Sequence, residues 1–338
     1  MVLGCGEPAA APTAASASTP LSGPAARAAL TLQFGGFSVT REVFGRRILP
    51  EFARTWLKSQ GQELRFVERY DGSGLLTQAL GNAFPADVMV FALAEDLDRV
   101  VASGLIQPLA AEQRRDSIVS RSLVVLAVRK GNPKAIHDWR DLTRPGVRVV
   151  TPDPATSGGG RWNVYALYGA ALRGHAGVPA GDAAAALGFV RSVLANVIDR
   201  GVDAHQSFRA FQAGTGDVAI TYECEVTGSW IFGHDEQRVI PSSTLLVENP
   251  AVVVDAYVDR HGTRAAAEAL IAYLRAPEAQ KRLAFHGLRP VDPAVAADHA
   301  AQFPTPDDLW TIADLGGFER AAREILTPLG FAPAPAGK

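Results

Sequence analysis

Apolar and polar side chains alternate along Leu-Thr-Leu-Gln-Phe-Gly-Gly-Phe at residues 30–37, and the alternation breaks on glycine, which predicts a strand running into a loop. The period then lengthens. Phe44, Ile48, Phe52 and Trp56 recur every four residues, so a helix follows, with Thr40 as its cap and a kink at Pro50. The same change of period returns: residues 63–70 read as a strand, 72–81 as a helix and 86–92 as a buried strand. Strand, helix, strand, helix predicts an α/β chain on a mainly parallel sheet. Residues 122–129 form a continuous apolar strand, Gly131-Asn132-Pro133 a turn and 147–151 a short strand, and a helix opens at Arg161-Trp162-Asn163. Residues 217–222 are again strand-like, and 244–255 read as the chain crossing back. Ala267, Leu270, Ile271 and Leu274 stand at i, i+3, i+4 and i+7 and predict a helix over 263–275; Pro277 starts another that runs to about His286. No internal repeat is visible.

A chain of 338 residues has room for about two domains. Lys plus Arg total 33 against 35 Asp plus Glu, a net charge of −2, and such a balance gives no broad basic surface for nucleic acid. Hydrophobic residues make up 47% and charged residues 20%, with a mean hydropathy of +0.06, as in a folded globular chain. No apolar run reaches the roughly 18 residues of a membrane span. GxxxxGK[ST], HExxH and GxSxG are missing, and the two cysteines, Cys5 and Cys224, cannot make a CxxC motif or a Cys-rich zinc site. No cofactor, metal or catalytic residue is implied.

The first 29 residues differ from the rest. From Cys5 to Ala29 the chain is almost wholly Ala, Pro, Ser, Thr and Gly, with Glu7 and Arg27 as its only charges, so it cannot bury enough surface to offset its ordering entropy. A disordered tether over 1–29 and a flexible C-terminus over 331–338 are expected. Val2-Leu3-Gly4-Cys5 resembles the end of a bacterial lipoprotein signal, which implies Cys5 as a lipidated anchor; the other reading is a chance cysteine in a tail.

Candidate chemistry lies in three strand-to-helix turns that carry serine. Thr156-Ser157-Gly158-Gly159-Gly160 stands between a strand and a helix, where glycines leave backbone N–H groups bare and a helix start adds unpaired donors and a partial positive charge. Such a turn can cradle an anion, and the Ser157 hydroxyl adds a donor. Asp71-Gly72-Ser73-Gly74 and Gly36-Phe37-Ser38 are of the same type. Each alone could be an ordinary turn with a capping serine. Together they suggest a ligand site, because such loops gather at the carboxyl ends of parallel strands.

Arg129-Lys-Gly-Asn-Pro-Lys134, His137-Asp138-Trp139, Asp141-Leu142, Pro145-Gly146-Val147, Thr151-Pro152, Ser157-Gly158-Gly159 and Arg161-Trp162-Asn163 follow one another at a spacing that resembles the periplasmic sulfate/thiosulfate-binding proteins of ABC importers. Thr40-Arg41-Glu42, Ala86-Asp87-Val88, Ala92-Leu93-Ala94 with Asp96, Gly216-Asp217-Val218 and Leu288-Arg289-Pro290 extend the likeness over about 30–320. The resemblance implies a type II periplasmic-binding-protein fold: two α/β lobes joined by two hinge crossings, the ligand in the cleft between them. Residues 30–120 with 241–330 would form one lobe and 121–240 the other. It also implies an extracytoplasmic monomer, tethered through Cys5, that captures sulfate or thiosulfate and delivers it to a membrane permease.

In that family neutral donors hold a dehydrated oxyanion. The resemblance carries hydroxyl donation to Ser73, and hydroxyl and backbone donation to Ser157, Gly158 and Gly159. Tyr222 stands where the family usually has a Trp and Ser38 where it usually has an Asp; both can donate. Asp203 and His205 fall in a segment that contributes a further backbone donor. A carboxylate there would repel sulfate and accept from a proton-bearing oxyanion, so phosphate or an organic sulfate or phosphonate is the competing ligand, unless both side chains face solvent. His137-Asp138 reads as a surface loop, Cys224 as an inert buried thiol, and the tryptophans as core or surface aromatics. The rival classes are a sensor with the same fold and an enzyme acting on sulfate or phosphate esters, for which only Asp203 and His205 could supply an acid or base.

Overall fold

The computed structural model describes residues 1, 28–81 and 83–331, and ten strands join in one mixed sheet. They are β1 (Leu30–Phe37), β2 (Leu64–Asp71), β3 (Val88–Val90), β4 (Ile118–Val128), β5 (Val149–Pro152), β6 (Val197–Gly201), β7 (Val218–Tyr222), β8 (Gln237–Val239), β9 (Ser243–Val253) and β10 (Asp308–Trp310). Their order is β2-β1-β3-β9-β4-β7-β5-β6, with β10 on β9 and β8 on β4. Parallel pairing joins β1 to β2 and β3, and β5 to β6 and β7. The antiparallel pairs all involve β4 or β9, the two longest strands, so the sheet is less uniformly parallel than the alternation predicts. These two strands link the halves. The start of β4 pairs with β9 and its end with β7 and β8, while β9 runs from β10 past β4 to β3. One half is therefore built on β1–β3 and the other on β5–β8, as in a two-lobed α/β fold with two crossing strands.

Local differences from the sequence reading have physical causes. The Thr40 hydroxyl does not cap a helix; it donates to the Phe37 carbonyl, 2.7 Å away, and closes a 3-10 turn, Ser38–Thr40. The helical stretch then runs from Arg41 to Gln60, and the kink expected at Pro50 is one π-helical turn, Phe44–Ile48, ahead of the helix Leu49–Gln60 that holds Pro50 in its first turn. Proline fits there because it needs no acceptor for a missing N–H. Phe44, Ile48, Phe52 and Trp56 all face the core. The helix expected from Arg161 starts at Gly158 and runs to Leu172. Cys5 and both expected terminal tails lie outside the described residues, apart from Met1, Ala28, Ala29 and Phe331.

Candidate functional site

After β5 the chain turns on Asp153, whose carbonyl accepts from Thr156 N and Ser157 N, and enters the helix Gly158–Leu172. Ser157 is its N-cap. The serine oxygen accepts from Gly160 N at 3.3 Å, which leaves the hydroxyl proton free to be donated outward. Gly158 and Gly159 occupy the first two helical positions, and their N–H groups have no acceptor among the described residues. Their lack of a side chain is required by close approach. A Cβ on Gly158 would stand 2.3 Å from Leu93 Cδ1 and 3.2 Å from Ser73 Cβ, and one on Gly159 2.9 Å from Ala204 Cβ and 3.1 Å from Tyr222 Cε2.

Those neighbours are the other candidates, so the fold draws residues 73, 157–159, 204 and 222 into one cluster. Tyr222 ends β7 and precedes the helix Glu223–Ser229. Its ring lies against Phe37, centroids 6.1 Å apart, which brings in the turn that starts at Ser38. The Tyr222 phenol is buried and its oxygen has no partner among the described residues. Burial pushes its pKa well above the ordinary value, so it stays a donor. Gly72 places the two halves in contact: a Cβ there would meet Thr156 O at 2.8 Å and Asp203 Cβ at 3.3 Å.

Two expected roles change. Ser73, buried at the start of the helix Ser73–Ala79, gives its one hydroxyl proton to Asp96 Oδ2 at 2.5 Å, so in this conformation it is not a free donor. Asp203 has a structural partner of its own. Its Oδ1 accepts from Gln206 N at 2.9 Å and caps the helix Ala204–Gln212. His205 turns instead to the buried Glu225, with Nδ1 3.3 Å from Oε1, and that hydrogen bond raises the His205 pKa against the pull of burial. Cys224 is buried and its thiol is pushed far up by burial first and Glu225 next. His137 is exposed, and Asp138 caps Trp139 N at 2.7 Å.

The charged groups beside the cradle were not singled out by sequence. Arg161 is almost completely buried and bonds both oxygens of Asp96 at 2.8 Å and Glu95 at 2.8 Å. Arg99 bonds Glu95 at 2.5 Å and Asp96 at 3.2 Å, so two guanidiniums face two carboxylates with no net charge. Burial would lower the Arg161 pKa, but Asp96 and Glu95 outweigh it and keep the group charged. The rest of its motif is structural: Trp162 Nε1 donates to Ala92 O at 2.8 Å, and Asn163 Nδ2 to Thr151 Oγ1 and Ile220 O. Arg161 and Asp96 each lie within motifs noted above, but a pairing across 65 residues has no local signal. Among the described residues no three His, Cys, Asp or Glu side chains are grouped to hold a metal ion. The arrangement can receive hydrogen-bond acceptors from its ligand.

Residues 46–289 match the family model described as bacterial extracellular solute-binding protein. The chain belongs to this family. A sulfate-binding protein of Synechococcus elongatus is 38% identical over 87% of this chain and 83% of its own, and a thiosulfate-binding protein of Pseudomonas aeruginosa is 34% identical over 84% and 86%. The solved sulfate-binding protein SubI of Mycobacterium tuberculosis superposes with a TM-score of 0.78 at 34% identity, covering 88% of this chain and 99% of that one. The fold of this solute-binding protein is thus the two-lobed type II fold that the sequence resemblance implies, and its relatives are binding proteins rather than enzymes.

Proposed function

We propose that this chain is the extracytoplasmic capture component of an ABC importer and that it binds sulfate, or thiosulfate, in the cleft between its halves. The observation that carries the reading is the buried Tyr222 phenol, without a partner, against the equally unpartnered N–H groups of Gly158 and Gly159. Three unmet donors in a dry site are costly unless a ligand accepts from them. The names of its relatives support an oxyanion of sulfur. Ser157 would donate its free proton, Ser38 would contribute from the first half, and Ser73 would swing from Asp96 toward the anion. Asp203 gives Oδ1 to its own helix and its Oδ2 has no donor among the described residues, so it is the names of the relatives that favour sulfate over hydrogen phosphate.

Residues 30–120 with 241–330, and 121–240, are the lobes in this reading. The protein acts as a non-catalytic monomer, tethered through Cys5, with a permease as its partner. Calorimetric titration with sulfate, thiosulfate and phosphate tests the ligand. Sulfate stays fully ionised between about pH 6 and 8, so its affinity should change little across that range, whereas phosphate changes its charge in this region. Tight phosphate binding with no sulfate response would overturn the assignment.

A further inference from the structure

A cavity of about 500 Å³ lies between the two halves and shares none of the candidate ligand residues: Ser38, Ser73, Ser157, Gly158, Gly159 and Tyr222 do not line it. Val39 and Val43 enter its wall after β1, and His286 and Leu288 after β9, while Phe208, Glu225 and Phe232 come from the half built on β5–β8. Two polar atoms of these lining residues are buried without a partner among the described residues, Glu225 Oε2 and His286 Nε2. Glu225 is only 7% exposed, and its other oxygen already faces His205 Nδ1 at 3.3 Å. One edge of a buried carboxylate is therefore left to the cavity. Burial first and the charge of Arg47 next hold His286 below its ordinary pKa, so its ring is neutral and offers Nε2 as donor or acceptor according to its tautomer. A buried carboxylate oxygen without a donor is costly, and an occupant that brings a hydroxyl removes the cost.

The rest of the lining sets the form of that occupant. Phe208 and Phe232 present aromatic surface and Val39, Val43 and Leu288 aliphatic surface, so its body is apolar and a ring suits it. Arg209 also lines the cavity, is exposed, and has Gln212 Oε1 at 3.4 Å as its side-chain partner among the described residues. It is close enough to His205 to act on its charge, which puts it at the same side of the space as the His205–Glu225 pair. Arg46, by contrast, is held by Glu42 at 2.8 Å. An unpaired guanidinium at the exposed end calls for a carboxylate, and the buried carboxylate oxygen calls for a donor. The volume lies within the roughly 300–1,000 Å³ of sites that hold small organic molecules.

We propose that this cavity is a second ligand site, for a small aromatic acid with a hydroxyl at the end remote from its carboxylate: the hydroxyl donates to Glu225 Oε2, the ring lies against Phe208 and Phe232, and the carboxylate meets Arg209. The probe is 4-hydroxyphenylacetate, titrated calorimetrically into the full chain with and without saturating sulfate. It should bind in both cases, because no residue of the anion cradle takes part. Phenylacetate leaves Glu225 unmet and 4-hydroxybenzyl alcohol leaves Arg209 unmet, so each should bind at least about tenfold more weakly. Arg209→Gln, Phe232→Ala and Glu225→Gln should each weaken the probe at least about fivefold and leave sulfate affinity within about twofold, which also shows that the variants fold. No binding of 4-hydroxyphenylacetate at millimolar concentration would overturn the proposal. So would phenylacetate binding as tightly as the probe, or exclusion of the probe by sulfate, which would put it in the anion cradle. A chain that binds the probe and not sulfate counts against the sulfate reading and leaves this site standing.

Discussion

Tyr222→Phe removes one oxygen and should move stability and affinity in opposite directions. In the ligand-free protein that oxygen is buried and bonded to nothing among the described residues. An unmet buried polar group costs about 1–3 kcal/mol, so the variant without ligand should be as stable as the parent or more so. Its Tm should rise by roughly 2 °C per kcal/mol in a chain of this size. Bound sulfate reverses the comparison. A hydrogen bond to a charged acceptor contributes about 1.5–3 kcal/mol, which at about 1.4 kcal/mol per decade is a ten- to hundredfold rise in Kd. At a sulfate concentration about a thousandfold above the parent Kd, the ligand stabilises the parent by about 4.1 kcal/mol and a hundredfold weaker variant by only about 1.4. Titration calorimetry gives the two affinities, and thermal unfolding with and without sulfate gives the crossing of the two Tm orders. A variant that melts lower without sulfate and binds it as tightly as the parent would refute the argument, because Tyr222 would then be a packing residue with no role toward the ligand.

Gly159→Ala should weaken sulfate binding at least about tenfold in the same titration, since the new methyl would stand 2.9 Å from Ala204 Cβ and push apart the two helix starts of the proposed site. Asp203→Ala should lose a helix cap worth about 1 kcal/mol in denaturant unfolding and leave the preference for sulfate over phosphate unchanged; a swing in preference would restore the carboxylate to the ligand site. Glu225 raises the His205 pKa above 6.5, so the stability this pair contributes is fully present below about pH 6.5 and is lost as pH rises through the raised value. The Tm difference between the parent and His205→Gln should therefore shrink from pH 6 to pH 9. Arg161→Leu leaves Asp96 buried beside Arg99 alone and should cost about 3–5 kcal/mol in equilibrium unfolding.

What the sequence reveals is what local periodicity and turn chemistry encode. The strand at 30–37, the apolar strand through 122–128 and the helix at 264–275 each have a period that one face of a sheet or helix imposes. The glycines at 158–160 mark the helix start in the sequence, because a run of them between strand and helix fits a turn where the chain packs closely. Details that the sequence does not carry come from competition among nearby groups. Asp203 lies one residue before a helix that the pattern does not announce, and an aspartate there is drawn to the helix's own N–H groups before any ligand. Ser73 has one proton, and the carboxylate that takes it is 23 residues further on, in the helix Ala94–Ala102. Glu225 and the cavity it lines depend on which halves face each other, which no window of neighbouring residues contains.

The ion cluster beside the cradle explains why neutral donors can suffice there. Arg161 follows β5 and Glu95 and Asp96 follow β3, so their bonds join the half built on β5–β8 to the half built on β1–β3. Taking such charges out of water costs several kcal/mol per ion, and their mutual attraction offsets that cost without a large surplus. Two positive and two negative groups also cancel, so an entering anion meets no net counter-charge to hold it irreversibly. Its attraction comes from hydroxyls and from N–H groups at helix starts, whose dipoles are strengthened by the dry surroundings and fixed in direction by the fold. In the reading proposed here, a cleft closed without ligand leaves Tyr222, Gly158 and Gly159 unmet beside a nearly balanced ion cluster, and one closed around an acceptor would satisfy all three. The difference between those two closed states, rather than any single strong contact, is what couples anion capture to the shape of the molecule.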